Sequence, residues 1–307
     1  MFLSGRARAL LVILALAGPL ALAHCQSSRK PADRGESASS QRRAEADTMR
    51  ADRAPTAEPQ GEVMPPKDDE GRERPGGTSA EDLPRKEEDR FAQMRERMVA
   101  EQLKNRDIHD PAVLAAMRSV PRHHFVPEAY RGAAYTDGPL PIGYEQTISQ
   151  PYIVALMTQL ARPAPQARAL DIGTGSGYQA AVLAELVDSV YSIEILCPLA
   201  DEARARLERL AYHNVAVRCG DGYQGWPEHA PFDLIILAAA PDHVPQPLVE
   251  QLAPGGRLVL PLGAFYQDLI VIEKLPDGTV REQNVAPVRF VPMTGEAQKG
   301  GKKKEKR

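Results

Sequence analysis

Two hydrophobic periodicities alternate along the second half of the chain. Short apolar runs, typical of strands, are separated by segments in which apolar residues recur every three or four positions, typical of helices. The runs predict strands over residues 167–172, 189–195, 215–219, 232–238 and 257–262, and the intervening patterns predict helices over residues 178–187, 198–210 and 247–252. Such alternation predicts a doubly wound α/β sheet, mostly parallel, with helices on both faces.

The closing strands and the most apolar run refine this sheet. Residues 232–238 are almost entirely apolar, which indicates a central parallel strand covered on both faces. Strands are also expected over residues 268–273 and 285–292, on either side of a turn at 275–278. These last two strands should add an antiparallel edge to the sheet.

The segments before the sheet predict helices and one long loop. Helices are expected over residues 112–118, after an Asp110 N-cap, over residues 151–160, and over residues 91–105, where one face carries Phe91, Met94, Met98 and Leu103. Residues 135–150 have almost no apolar periodicity, so we expect a long polar loop there. Long ordered loops on a rigid scaffold often carry function.

Composition places a signal-like segment and a polar linker before this domain. In residues 1–25, Arg6 and Arg8 precede an apolar stretch that ends in small residues, the layout of a secretory signal. Cys25 follows at once, as in a bacterial lipoprotein, although His24 stands where such proteins carry a small residue. The alternative is a cytoplasmic protein that starts later, at Met49, Met64 or Met94.

The linker and the tail are predicted to be disordered. Residues 26–90 are dense in charged residues, Pro, Ser and Ala, and cannot bury enough apolar area to offset chain entropy. Residues 295–307 form a basic tail. The folded domain is therefore expected over residues 91–294, a length that allows one substantial core.

Charge and cysteine content exclude several classes of protein. The net charge of −3 argues against a nonspecific nucleic-acid binder, and the only long apolar run lies at the N-terminus, which argues against a multi-span membrane protein. Three cysteines cannot form a disulfide framework, and we expect Cys197 and Cys219 to be small buried hydrophobic residues. No metal site is expected, since His123 and His124 have no acid at metal-ligand spacing.

A glycine-rich turn follows the first predicted strand of the sheet. Gly173, Gly175 and Gly177 form GxGxG, with Asp171 two residues ahead, whereas the dinucleotide fingerprint is GxGxxG. A pyrophosphate tolerates a nearby carboxylate poorly. A carboxylate does complement the positively charged ammonium and sulfonium groups of S-adenosylmethionine. The turn therefore favours S-adenosylmethionine as the ligand.

Two further acids lie at the ends of the next strands. Glu194 comes 21 residues after Gly173, the interval at which an acid meets ribose hydroxyls. Asp221, followed by Gly222, ends the third strand and could accept a hydrogen bond from the adenine amino group. With Ser176 in the turn, these residues form a candidate site for S-adenosylmethionine. The alternative is that the acids only cap helices.

Five segments carry a resemblance to a known family. They are PIGYEQTISQPYIVALM, ALDIGTGSGYQ, CGDGYQGW, LAPGGRLVLPLG and RFVPM, over residues 141–157, 169–179, 219–226, 252–263 and 289–293. Together they resemble the protein-L-isoaspartate O-methyltransferases, over residues 94–294. The TISQP element is highly specific, while the glycine motif is shared by many methyltransferases.

The resemblance implies a Rossmann-like methyltransferase sheet and a reaction. S-adenosylmethionine would methylate the free α-carboxylate of an L-isoaspartyl residue in a damaged protein or peptide, as in a protein-L-isoaspartate(D-aspartate) O-methyltransferase. The ester would then close to a succinimide without enzymatic help. The resemblance assigns the catalytic role to Ser149 and places Thr147, Ile148 and Gln150 around the substrate. It also implies a cytoplasmic enzyme; we expect a monomer without nucleic acid, which meets a membrane only if Cys25 is lipidated.

Other functions remain open from the residues alone. A methyltransferase acting on another small-molecule or protein carboxylate would share the glycine turn and the acids. A dinucleotide oxidoreductase would prefer GxGxxG. A non-enzymatic envelope lipoprotein with a decayed methyltransferase fold is a third alternative, against which the intact Ser149, Asp171 and Glu194 argue.

Overall fold

The computed structural model describes residues 82–297, with side chains from residue 85. The signal-like segment, most of the predicted linker and the basic tail beyond residue 297 lie outside this range. Nine strands are described: β1 Leu140–Gly143, β2 Gln146–Ile148, β3 Arg168–Ile172, β4 Ser189–Glu194, β5 Val215–Cys219, β6 Phe232–Leu237, β7 Leu252–Leu262, β8 Gln267–Lys274 and β9 Val280–Val288.

Six α-helices and one π-helix accompany these strands. They are α1 Asp82–Arg97, continued by the π-helix Met98–Lys104, then α2 Pro111–Ser119, α3 Pro151–Ala161, α4 Tyr178–Ala184, α5 Cys197–Arg209 and α6 Gln246–Glu250. Asp110 caps α2 as expected, because its carboxylate accepts hydrogen bonds from the backbone N–H groups of Ala112 and Val113. No helix in residues 82–297 is long and apolar enough to cross a membrane.

Seven strands form the main sheet in the order β5-β4-β3-β6-β7-β8-β9. The five neighbouring strands β5, β4, β3, β6 and β7 pair in parallel. Strands β8 and β9 close the sheet with antiparallel pairs. The predicted doubly wound sheet, mostly parallel with an antiparallel edge, is therefore confirmed.

The central strand β6 shows why the apolar run predicted burial on both faces. Leu234 and Ile236 pack into one hydrophobic cluster, while Ile235 and Leu237 pack into a second. Alternate side chains of a strand point to opposite faces, so each cluster covers one face of the sheet. The two clusters hold the sheet in a core that fixes the carboxyl ends of its strands.

The described domain extends further at both ends than the sequence predicted. Helix α1 begins at Asp82 rather than Phe91, so residues 82–90, which we assigned to the linker, are helical. Residues 85–90 are exposed and carry no apolar stripe, which is why periodicity did not reveal them. At the other end, Ala297 is buried, although the tail was expected to begin at residue 295.

The predicted long loop over residues 135–150 contains a short hairpin instead. Strand β1 pairs with β2, with Leu140 opposite Ile148 and Pro141 opposite Thr147. Tyr144 and Glu145 form the turn with positive φ angles of 52° and 58°. The strands are too short for a period-two pattern to be visible, and the turn lacks the Asn-Gly or Gly-Gly pair that usually signals a hairpin.

Two strands differ from their predicted bounds. Strand β7 begins at Leu252 rather than Arg257, with an irregularity between the pairs Phe232–Leu252 and Leu234–Arg257. Strand β9 covers Val280–Val288 rather than residues 285–292, because its first half is exposed and polar and shows no alternation.

Candidate active site

A cleft opens at the carboxyl ends of the central parallel strands. Strand β3 pairs with β4 on one side and with β6 on the other, so the chain reverses its winding direction here, where open α/β sheets bind ligands. The cleft encloses about 590 Å³ when the open solvent at its mouth is included. Its lining residues are Gln146, Ile172, Gly173, Ile193, Glu194, Ile195, Leu196, Asp221, Gly222, Ala239, Val291, Pro292, Met293 and Thr294.

The glycine turn joins β3 to helix α4 beside this cleft. Gly173 lines the cleft and donates its N–H to Ile193 O at 2.9 Å, which ties the turn to the neighbouring strand. Gly177 is the N-cap of α4 with a φ of 89°, a conformation that L residues rarely adopt. A side chain on Gly177 would also press on Leu207, so both backbone and space require glycine here.

Glu194 lines the cleft and also holds the glycine turn in place. Its Oε2 accepts a hydrogen bond from Gly175 N at 2.9 Å, and its Oε1 accepts one from Leu196 N at 3.0 Å. A carboxylate has about four acceptor positions, so two remain for a ligand. The residue can therefore position the turn and bind hydroxyl groups at once.

Asp171 is fully buried beneath the turn rather than among the lining residues of the cleft. Its Oδ2 accepts from Ser192 Oγ at 2.7 Å, while Oδ1 has no hydrogen-bond partner in the described part of the chain. Burial raises the pKa of Asp171 to about 7; the Ser192 hydrogen bond opposes this rise and the Glu194 carboxylate adds to it. A buried carboxylate oxygen without a donor is the kind of group that a cationic ligand satisfies.

Asp221 both caps a helix and lines the cleft, the two alternatives that the sequence left open. It caps a short 3₁₀-helix by accepting from Tyr223 N at 2.9 Å, and its other oxygen accepts from Glu296 N at 2.8 Å. It also lines the cleft together with Gly222. A side chain on Gly222 would collide with Ile172, so this position needs glycine to let the chain pass close to β3.

Three residues of the glycine turn that were predicted to bind the donor do not line the cleft. Gly175, Ser176 and Gly177 are not among the lining residues, and Ser176 is buried. The backbone carbonyl of Ser176 accepts from Arg206 Nη1 at 2.8 Å, which fixes the turn against helix α5. Their predicted role in donor binding stays a prediction.

The β1–β2 hairpin, which carries the predicted acceptor residues, lies against the glycine turn. Ile142 Cδ1 lies 3.4 Å from the position that a Cβ on Gly175 would take, and Gln146 lines the cleft. Beyond Gln146, Thr147 is exposed and Ser149 is half-buried, while the side chain of Ile148 is buried in the core. Ile148 can therefore meet a substrate only through its backbone.

Gln150 and Ser149 are held by residues that lie earlier in the chain. Gln150 donates its side-chain amide to Asp137 Oδ1 at 2.7 Å. The carbonyl of Ser149 accepts from Arg122 Nη2 at 2.7 Å. These contacts fix the segment that leads from the hairpin into helix α3.

Arg122 is the main residue that sequence reasoning missed. Its side chain is fully buried, donates to Ala134 O at 2.7 Å, and lies 4.7 Å from the centre of the Tyr178 ring. Burial lowers the pKa of Arg122 to about 10, so it is still protonated at neutral pH. Its Nη1 has no partner among residues 82–297. The available signal in the sequence was an arginine between Pro121 and Pro127.

A second missed element is the wall formed after the last strand. Val291, Pro292, Met293 and Thr294 line the cleft opposite the glycine turn. Met293 N donates to Ala240 O at 2.7 Å, and Ala240 N donates to Val291 O at 2.8 Å, so the segment is pinned beyond the end of β6. The RFVPM resemblance pointed to this segment, although no role was assigned to it.

The expectation for Cys197 and Cys219 was wrong. The two residues form a disulfide, with their Cα atoms 5.0 Å apart. Cys197 is exposed and Cys219 is half-buried, so neither is a small core residue. The sequence separation of 22 residues hid a pairing that the register of β4 and β5 creates.

The structure also brings an acid to the two histidines. Ligand atoms of Glu88, His123 and His124 lie within 4.8 Å of one another, because α1 places Glu88 beside the histidines. Burial lowers the pKa of both histidines, and the Glu88 carboxylate opposes this decrease. Both ring nitrogens of His123 are already hydrogen-bonded, Nδ1 to the Tyr135 hydroxyl at 2.8 Å and Nε2 to Glu88 Oε1 at 3.2 Å.

Comparison with protein families and known proteins gives a consistent result. Residues 93–298 match the model of the family described as protein-L-isoaspartate(D-aspartate) O-methyltransferase. The chain is 57% identical over 201 residues to a protein-L-isoaspartate O-methyltransferase of Gloeobacter violaceus, covering 65% of this chain and 98% of the relative. It is 59% identical over 204 residues to one of Opitutus terrae, covering 66% and 87%.

Solved structures agree with these relatives. A protein-L-isoaspartate O-methyltransferase structure superposes with a TM-score of 0.62 and 30% identity, covering 66% of this chain and 67% of the other. A second structure comes from a Plasmodium falciparum protein assigned to the same enzyme class, in complex with S-adenosyl-L-homocysteine. It has a TM-score of 0.57 and 27% identity, and covers 64% of this chain and 96% of the other.

Proposed function

The chain belongs to the protein-L-isoaspartate O-methyltransferase family, and from this membership we propose that it repairs damaged proteins. It moves a methyl group from S-adenosylmethionine to the free α-carboxylate of L-isoaspartyl residues in proteins and peptides. The observation that carries the proposal is the cleft beside the glycine turn and the β1–β2 hairpin. The acidic strand ends Glu194 and Asp221 line this cleft, and so does Gln146, the residue directly before the TISQP segment.

The donor side of the cleft fits S-adenosylmethionine. Glu194 accepts hydrogen bonds from the ribose hydroxyls, and Asp221 accepts one from the adenine amino group. Each carboxylate has acceptor positions that its backbone contacts do not use. The unpartnered Oδ1 of Asp171 suits the ammonium end of the donor. Bound there, S-adenosylmethionine supplies an electrophilic methyl group on a positively charged sulfur.

The acceptor side needs alignment rather than a base. A carboxylate is already ionised at neutral pH, so no proton has to be removed before attack on the methyl carbon. Ser149 donates a hydrogen bond that orients one carboxylate oxygen in line with the methyl carbon and the sulfur. Holding three atoms in line removes much of the entropic barrier. Both charges disappear in the transfer, so exclusion of water favours it.

Arg122 supports the acceptor side from within the core. It binds the carbonyl of Ser149 and carries a buried positive charge with no carboxylate partner among the residues described. A buried charge without a counter-ion is costly. An incoming substrate carboxylate reduces that cost, which adds attraction for an anionic acceptor.

The decisive test uses two synthetic peptides that differ only in aspartyl or isoaspartyl linkage. We expect radiolabelled methyl transfer to the isoaspartyl peptide alone, with the label released as methanol by mild base. Equal labelling of both peptides would favour the alternative, a methyltransferase acting on another protein or small-molecule carboxylate. Binding of NAD in place of S-adenosylhomocysteine, read from a thermal shift, would favour an oxidoreductase.

The chain is proposed to need no metal and no nucleic acid, and to work as a monomer. The hydrogen bonds that already occupy both ring nitrogens of His123 support the first point. The net charge of −3 supports the second. Light scattering of the purified chain measures the third directly.

The compartment is a separate proposal, because family resemblance and structure point in different directions. The family resemblance implies the cytoplasm. The Cys197–Cys219 disulfide favours export, since disulfides persist in oxidising compartments and are rare in the cytosol. The signal-like residues 1–25 agree with export to the periplasm, with lipidation at Cys25 as a further possibility. Mass spectrometry of the native N-terminus distinguishes a cleaved, a lipidated and an unprocessed chain.

A further inference from the structure

The Cys197–Cys219 disulfide lies at the rim of the donor cleft. Cys197 is the first residue of α5, and Cys219 is the last residue of β5. Strands β4 and β5 run in parallel, and the register places Glu194 directly opposite Cys219. The bridge therefore joins the chain just after one donor-binding acid to the chain just before the other.

Each half of the bridge is attached to a wall of the cleft. Glu194, Ile195 and Leu196 line the cleft immediately before Cys197. Asp221 and Gly222 line it immediately after Cys219 and Gly220. The crosslink thus sets the distance between the segment proposed to hold the ribose and the segment proposed to hold adenine.

The β4–β5 ladder ends at the Glu194–Cys219 pair, where the two segments leave the sheet. Beyond that pair, Gly220 N donates to Glu194 O at 2.9 Å. Strand β5 is the edge of the sheet, and Ile195 and Cys197 are exposed. Edge strands and exposed helix starts open locally more easily than central elements.

We propose that the Cys197–Cys219 disulfide positions Glu194 and Asp221 for donor binding, so that the oxidised chain binds S-adenosylmethionine more tightly than the dithiol chain. The proposal rests on the binding of S-adenosylmethionine in this cleft. Both cysteines act through the neighbouring acids and do not touch the reacting atoms. The exposure of Cys197 makes the bridge accessible to a soluble dithiol.

The chemistry of opening is a balanced exchange. A thiolate of an external dithiol attacks one sulfur of the bridge and forms a mixed disulfide, and its second thiol closes the reagent into its own disulfide. The protein gains two electrons and two protons and carries two thiols, and the dithiol loses the same. Glutathione disulfide reverses the step.

The test measures donor affinity in the full chain. S-adenosylhomocysteine is titrated calorimetrically into the chain oxidised with glutathione disulfide, the chain reduced with dithiothreitol, and the Cys197→Ser/Cys219→Ser variant. We expect reduction and substitution each to weaken binding by about three- to tenfold, the loss typical of a site that must be ordered on binding. The KM for donor rises by a similar factor, while kcat and the KM for the isoaspartyl peptide stay within about twofold.

Two controls separate positioning from general damage. Cys25→Ser keeps the bridge and should bind like the parent chain in both redox states. The double serine variant should not respond to dithiothreitol. Should the double variant fold poorly, as read from its thermal melt, the reduced parent chain gives the same comparison without a substitution.

Two results overturn the proposal. One is an unchanged donor affinity after complete reduction. The other is a titration of three free thiols in the denatured, non-reduced chain, which would mean that the bridge does not form. If neither redox form methylates an isoaspartyl peptide while donor affinity still changes, the proposed function fails and the positioning role stands.

Discussion

The two walls of the cleft are built on different physical bases. The donor wall is made of strand ends whose carboxylates bind backbone N–H groups, as Glu194 does with Gly175 and Leu196. The acceptor wall is a short hairpin, and the segment that follows it depends on the guanidinium of Arg122 behind Ser149. The donor wall is therefore positioned by backbone hydrogen bonds at the end of the sheet, whereas the acceptor wall is positioned by side-chain contacts. Substitutions in the two walls should have separable kinetic effects.

The largest effect is expected at Ser149. Replacing Ser149 with Ala removes a hydrogen bond worth about 1–3 kcal/mol, which corresponds to a loss of about 5- to 150-fold in kcat/KM for the isoaspartyl peptide. Binding of S-adenosylhomocysteine should not change. Steady-state methyl transfer and calorimetry check the two expectations, with Thr136→Ala as a matched hydroxyl control outside the cleft. Near-normal turnover by the folded Ser149 variant would contradict the proposed role.

Arg122 comes next, because it acts on the acceptor wall through Ser149. Arg122→Met should leave Ala134 O and Ser149 O without donors, lowering the free energy of unfolding by about 1–3 kcal/mol. The KM for peptide should rise about tenfold, with donor affinity unchanged. Arg122→Lys keeps the charge and should restore part of the peptide affinity. Equal losses in the Met and Lys variants would mean that charge plays no part.

Glu194 tests the donor wall, where a substitution should change donor affinity and leave the KM for peptide unchanged. Glu194→Gln replaces a charged acceptor of two backbone N–H groups, and we expect a loss of about tenfold in S-adenosylhomocysteine affinity. The KM for peptide should stay unchanged. Glu208→Gln on the exposed face of α5 is the matched control. If the Glu194 variant changed the KM for peptide more than the donor affinity, the two walls would not act separately.

A smaller and graded effect is expected from pH. Burial raises the pKa of Asp171 to about 7, so between pH 4 and 7 the native state keeps a proton that the unfolded state has lost. Stability of the ligand-free chain should therefore fall as pH rises across this window and level off above it. An ammonium group pairs with the ionised form, so donor affinity should rise toward pH 8. Asp171→Asn should flatten both profiles, measured by chemical denaturation and calorimetry.

No change is expected from metal removal. Dialysis against a chelator should leave methyl transfer within experimental error, because both ring nitrogens of His123, in the cluster of Glu88, His123 and His124, are already hydrogen-bonded. Loss of activity that zinc restores would place a metal at this cluster. His124→Ala would then be the variant that abolishes the response.

The contrast between the walls also explains what the sequence could predict. The sheet was predictable because β3 and β6 are mostly apolar runs, β3 followed by Gly173 and β6 preceded by Pro231. The acids at the carboxyl ends of β4 and β5 followed from that topology, and Glu194, Asp221, Gly173 and Gly222 do line the cleft. Local pattern and tertiary placement coincide in this part of the chain.

Other features depended on contacts between distant residues. Arg122 meets Ser149 across 27 positions, and Cys197 meets Cys219 across 22. The hairpin has no visible sequence pattern because its strands span only four and three residues. Residues 85–90 of helix α1 are exposed, so no apolar face marked this part of the helix. Pairings of this kind become visible only when the register of the sheet is known.

The wall at residues 291–294 has a consequence for how the protein is made. Met293 is anchored to Ala240, and Asp221 accepts from Glu296, so the cleft is finished by chain that leaves the ribosome last of the folded domain. A nascent chain stopped before this segment would hold the complete sheet yet offer only an open groove to the methyl donor. The domain would thus become able to bind the methyl donor fully only after its last residues are translated, when the sheet is already complete.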